Sequence, residues 1–249
     1  MTTDLNLKRL GFFLRRQLYL NFSTMWMALA TILGLLFLIS AIVLYARPAI
    51  VMGLPGLMGL RNFYLVVFML AGYVFTSKVF DEMHAPQKSY MFLTLPVSAT
   101  EKLLSAWLIT SPVYVLFFGL VMLLLSLFAS LFSGQLHALP YLFDEHFFNC
   151  IKVYLVTQAV FLLGATAFRG NNFLKTLLAL IVVAFAIAAY TGGLGYLLFG
   201  QSNYRGGPSD EFKDTAEYIF KNIIPLLFWW LLAPFMLLVS YFKLKERQV

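Results

Sequence analysis

Ser98 to Phe132 reads SATEKLLSAWLITSPVYVLFFGLVMLLLSLFASLF, and after Lys102 the next charged side chain is Asp144. A hydrocarbon layer of about 30 Å needs only about 20 apolar residues in helical form, so this stretch, taken as a span at 103–132, is long enough to cross a bilayer. Outward from it, further apolar stretches lie at 25–45, 62–80, 148–168, 176–199 and 223–242. An unpaired backbone amide in lipid costs several kcal/mol, and the chain has none of the alternating ten-residue segments of a barrel. The expected fold is therefore all-α, with six transmembrane helices forming one domain over residues 1–249.

Composition supports this reading. Of the 249 residues, 61% are hydrophobic and only 12% charged, whereas soluble domains are about 25% charged. The net charge of +7 does not point to nucleic acid, because the basic residues flank apolar runs and form no aromatic-interleaved groove. The single cysteine, Cys150, excludes an internal disulfide.

Lysine and arginine are unevenly divided between alternate connections. One set holds twelve: Lys8, Arg9, Arg15, Arg16, Lys78, Lys88, Lys102, Arg169, Lys175, Lys243, Lys245 and Arg247. The other holds six: Arg47, Arg61, Lys152, Arg205, Lys213 and Lys221. Because positive connections stay in the cytoplasm, both termini are expected there. The run from Met25 to Tyr45 is too long for a signal-peptide core and lacks a small-residue cleavage site, so it reads as a span. Before it, Leu7, Leu10, Leu14 and Leu18 share one helical face of Leu5 to Phe22, with Lys8, Arg9, Arg15 and Arg16 to the other side. This pattern predicts an interfacial helix whose basic face meets anionic headgroups.

The connection from Ser77 to Leu104 is long, charged and half apolar. Asp81, Glu82, His84 and Lys88 offer polar contacts, and Phe80, Met83, Tyr90 and Phe92 offer apolar ones, which suits a docking helix. Pro96 then breaks the chain. Ser98-Ala-Thr-Glu101 matches the S-x-x-E capping box, in which serine and glutamate satisfy each other's orphan amides at a helix start. Direct contact of Ser98 and Glu101 with a partner is compatible with that role.

The Leu95-Pro-Val-Ser98 turn, followed by Glu101-Lys-Leu-Leu104 and a long apolar helix, resembles the loop between the second and third spans of ABC-2 type permeases. These are the membrane subunits of one class of ATP-binding-cassette exporters. The basic amphipathic start, six spans and cytoplasmic ends are similar to that family along the whole length. The resemblance implies a permease in a cell membrane, the inner one in bacteria, that pairs with a second copy or a homologue. It also implies a separate cytoplasmic ATPase that binds the ATP and Mg. Phe80, Asp81, Glu82, Met83, His84, Lys88 and Tyr90 would then belong to the coupling helix, and Leu5 to Phe22 would be the elbow helix. Membrane lipid is the remaining expected partner.

The sequence itself carries no G-x-x-x-x-G-K-[ST] phosphate loop, so ATP hydrolysis by that route is not expected of this chain, nor is any cofactor of its own. Its spans hold few ionisable residues, which argues against an intramembrane enzyme and against a carboxylate-based secondary transporter. Asp144, Glu145 and His146 are adjacent but lack the i, i+4 facing of a metal helix, and read as a solvated edge of the membrane. Thr191-Gly-Gly-Leu-Gly to Gly200 points either to a re-entrant break or to close helix packing. Ser209-Asp-Glu-Phe starts an expected short external helix. A membrane scaffold or channel without an ATPase is the alternative reading.

Overall fold

The computed structural model describes residues 6–46, 54–84, 86–199, 214–215 and 217–247, and among them there is no strand. The expected external helix at 209–212 lies outside the described residues. The helices are α1 (Leu7–Ala46), α2 (Leu54–Lys78), α3 (Asp81–His84), α4 (Pro86–Leu93), α5 (Ala99–Phe132), α6 (Glu145–Ala167), α7 (Asn172–Phe199) and α8 (Ile219–Glu246), with a 3₁₀ turn at Leu136–Leu142. Five of them, α2, α5, α6, α7 and α8, are long and apolar enough to cross a membrane. The expected first span falls inside α1, whose described apolar part is Ala30–Tyr45.

The sequence suggested a surface helix followed by a separate span, but α1 runs unbroken for 40 residues. No proline interrupts it, and at 1.5 Å per residue it extends about 60 Å. Its inward stripe is Leu10, Phe13 and Gln17, all buried, whereas Leu7 is 74% exposed and Leu18 is also exposed. The leucine row is therefore split, with Leu10 buried and Leu14 half-buried against the bundle and Leu7 and Leu18 exposed. Arg9 and Arg16 face carboxylates of the same chain rather than solvent alone.

Two apolar clusters hold the helices together. The larger joins Leu36 of α1 to Tyr64 and Phe68 of α2, Tyr114, Phe118 and Met122 of α5, Leu142 of the 3₁₀ turn and Tyr154 of α6. Phe68 lies 4.7 Å from Tyr154 and 5.0 Å from Phe118, ring centre to ring centre, within the range of favourable aromatic pairs. The buried tyrosine hydroxyls of this cluster find partners: Tyr114 Oη donates to Phe68 O (2.7 Å), Tyr154 Oη to Thr110 O (2.8 Å), and Ser40 Oγ lies 2.5 Å from Tyr64 Oη.

Pro112 gives α5 a wide π turn at Ile109–Val113, because it cannot donate to the helical ladder. Tyr114 N reaches back to Ile109 O, and Tyr154 Oη takes up Thr110 O. Gln158 of α6 then bonds Ser111 Oγ through Nε2 and accepts from Thr110 Oγ1 at 3.1 Å. The irregular turn is thus stitched to α6 rather than left open.

Helix α7 is different. Asn172 and Thr176 are buried, but 177–194 are exposed except for the half-buried Ala179. The helix is continuous through Gly192 and Gly193, and neither has a non-local neighbour within 4 Å, so among described residues there is neither a break nor close packing there. Close packing occurs instead at Gly164, where an added Cβ would lie 2.9 Å from Thr176 Cβ. Gly72 is also tight, 2.8 Å from Tyr114 Cε1. Gly164→Ala is expected to lose about 1–3 kcal/mol through overpacking, while Gly119→Ala, in open space, should change little; thermal unfolding in detergent followed by size exclusion checks the contrast.

Candidate functional site

The second apolar cluster sits at one end of the bundle, under the connection between α2 and α5. Phe80, Met83 and Phe92 point into it together with Phe13 of α1, Val97, Ala99 and Ala106 around the start of α5, Leu162 and Ala165 of α6 and Leu244 of α8. Side chains that the sequence offered as partner contacts, Phe80, Met83 and Phe92, therefore anchor the connection to its own chain. Among the described side chains of the connection, Tyr90 (75%) and Met91 (68%) on α4 are large, apolar and exposed. Met91 escaped the sequence reading because only its neighbour on the helix distinguishes it from a core methionine. The side chain of Lys88 is outside what the structure describes.

Polar contacts fix the frame. The capping box is present: Ser98 Oγ accepts from Glu101 N (3.2 Å), and Glu101 Oε2 accepts from Ser98 N (2.9 Å). Glu101 is fully buried, and its Oε1 also accepts from Asn6 N (2.8 Å) and pairs with Arg9 (3.2 Å). One carboxylate thus ties the beginning of α1 to the beginning of α5. Lys102 is fully buried as well. Its Nζ donates to Phe92 O (3.0 Å), in the last turn of α4, and lies 5.0 Å above the Phe92 ring. It caps an orphan carbonyl in the last turn of the connection helix. The sequence counted Lys102 among the basic residues of the connections; its position beside the capping glutamate is the only hint of burial.

At the outer edge, Arg16 pairs with Glu82 at 3.4 Å, a half-exposed contact of small energetic weight. Asn172 Nδ2 donates to Ser77 O (3.2 Å) and lies 3.5 Å from Asp81 Oδ1. Burial raises the Asp81 carboxyl above the ordinary carboxylate range, opposed by Lys78 and then His84.

His84 is held from two sides. Nε2 lies 2.8 Å from Ala165 O and Nδ1 lies 2.7 Å from Arg247 Nη1; Arg247 Nη2 donates to Ala167 O at 3.3 Å. A guanidinium has no acceptor, so Nδ1 accepts and Nε2 carries the proton: the ring is neutral. Burial lowers the His84 pKa; Arg247 and Arg169 add to this, while the Ala165 bond and Asp81 oppose it. No sequence pattern linked residues 163 positions apart.

At the opposite end, Asp144 caps α6 by accepting from Phe147 N (3.0 Å) and pairs with the buried Arg61 at 2.7 Å. The Arg61 hydrogen bond, more than any other influence, holds Asp144 below the usual carboxylate range. Glu145 and His146 are exposed, and among the described residues no group of three metal-ligating side chains assembles.

Compared with family models, curated proteins and solved structures, the chain matches none.

Glu101→Ala leaves two amides and Arg9 without their carboxylate, and should lower stability by about 3 kcal/mol. Glu101→Gln, which retains an acceptor for one of those amides, should lose clearly less. Thermal unfolding of the two variants measures the difference.

Proposed function

We propose that this chain is the transmembrane permease subunit of an ATP-driven exporter of the ABC-2 type. In this reading it lies in a cell membrane with both termini in the cytoplasm, and it works with a separate cytoplasmic ATPase that binds ATP and Mg. A second copy or a homologue completes the permease. The observation that carries the reading is the connection at 79–98. Its two short helices are fastened to the bundle by Phe80, Met83 and Phe92, while Tyr90 and Met91 project outward.

Such an element can receive a push without collapsing. Ser98 and Glu101 join it directly to α5, and Glu101 with Arg9 joins it to α1, so displacement of the connection reaches two helices at once. Support for a paired permease comes from α7 and the 218–231 part of the last helical segment, whose apolar side chains are largely exposed in the single chain. Lipid and a second permease are the surfaces they suit. Among the described residues, no cluster of polar groups specifies the cargo.

The coupling role moves from the whole Asp81–Tyr90 segment toward Tyr90 and Met91. Changing both to aspartate should abolish recovery of a nucleotide-hydrolysing partner in mild detergent and leave the thermal unfolding of the permease within about 0.5 kcal/mol of wild type, as surface substitutions usually do. Recovery of the wild-type chain with no ATPase, under conditions that preserve its fold, would instead favour a scaffold or channel.

A further inference from the structure

We propose that His84 and Arg247 form a proton-released clasp that fastens the 79–98 connection to the C-terminal end of α8 and to the end of α6. The structural content of this inference rests on contacts within the chain; only its consequence for coupling rests on the permease reading.

The clasp uses both nitrogens of one ring. Nε2–H donates to Ala165 O, and Nδ1 accepts from Arg247, which also reaches Ala167 O. Three elements distant in sequence meet on this imidazole: α3 carries His84, α6 supplies the Ala165 carbonyl from its last turn, and the residue following α8 supplies the guanidinium. When the ring takes a proton from water at Nδ1, the lone pair that accepted from Arg247 is used for the new N–H bond. Two cations then face each other where a hydrogen bond had been. The contact to Ala165 O survives, because Nε2 keeps its proton, so protonation severs the link to α8 specifically.

Among the described residues, the charged groups around the ring are few. Asp81 lies on the same helix and accepts from Asn172 of α7, with Lys78 at the end of α2 acting on its carboxylate. Arg247 comes from the end of α8 and Arg169 from the turn between α6 and α7, both opposing a charged ring. Glu82, also on α3, is engaged by Arg16 of α1. Cations therefore face His84 from two elements, and Asp81, the carboxylate that favours the charged ring, is shared with Asn172.

The sign follows. A histidine whose folded-state pKa is lowered contributes stability that is present above its ordinary range, about 6.5, and is lost as pH falls through the lowered value. The clasp is closed at neutral pH and opens in acid. Acidification would thus break the polar link between the C-terminal turn and the connection, while Leu244, Phe80 and Met83 keep their apolar packing and Arg247 keeps Ala167 O.

Hydrogen exchange of the full chain in lipid nanodiscs, read by mass spectrometry and corrected for intrinsic exchange, tests this without any ATPase. As the pH is lowered stepwise from about 7.5, above the ordinary histidine range, through the lowered range of this ring, exchange in the last turn of α8 should rise roughly tenfold to a hundredfold. Arg247→Ala should show the fast exchange already at the higher pH. His84→Gln, whose amide oxygen can accept from Arg247 and whose amide nitrogen can donate to Ala165 O, should remain protected throughout. Asp81→Asn should keep the response to pH. Equal exchange of wild type and Arg247→Ala at the higher pH would overturn the proposal. So would a response abolished by Asp81→Asn and retained in His84→Gln.

Discussion

A carboxylate with no access to solvent, Glu101, governs how this chain is arranged. Burying a charge is expensive unless its hydrogen-bonding capacity is filled, and here two backbone amides and a guanidinium fill it. Because those donors come from the start of α1 and from the turn before α5, the interaction sets the distance between two helices that are 95 residues apart in sequence. The apolar cluster of Phe13, Phe80, Phe92 and Leu244 then has a defined floor on which to pack. Lys102, one residue further on, fixes the end of α4 from the same helical turn. Adjacent charges at the head of an apolar helix thus do the joining that loops alone would not.

Charge elsewhere follows the same economy. Arg61 is buried, yet it meets Asp144, a carboxylate already committed to capping α6, and the carbonyl of Leu142. In the middle of the helices the polar work passes to neutral groups: Gln158, Thr110, Ser111 and the tyrosine hydroxyls satisfy the backbone that the π turn sets free. Ionic contacts at the ends and neutral contacts in the centre suit a low-dielectric surrounding, where an unpaired charge is far more costly than an unpaired hydroxyl.

The all-helical fold was legible because unbroken apolar runs leave the backbone little choice, and the capping box at Ser98 and Glu101 was legible because it is local. Five long apolar helices match the runs, with ends displaced by several residues where caps and turns continue the helix. What the sequence hid is long-range. The single course of α1 was obscured by a change from amphipathic to uniformly apolar pattern, which looks like a boundary but contains no helix breaker. The inward orientation of Phe80 and Met83, the burial of Lys102 and the meeting of His84 with Arg247 depend on which helices become neighbours, and spacing along one segment carries no record of that. The glycines from 192 to 200 suggested either a break or close packing, but a glycine only weakens a helix by roughly 1 kcal/mol, and α7 continues through Gly192 and Gly193 to Phe199.

The unbroken course of α1 also has a mechanical consequence. Near its beginning it is held by Glu101 and Glu82, and near its far end by the contact of Ser40 with Tyr64. A stiff rod gripped at both ends cannot yield in one half alone. Any tilt that loosens the grip on one side of the bundle must swing the opposite extremity in the contrary sense, so the two faces of this protein are geared together by a single helix.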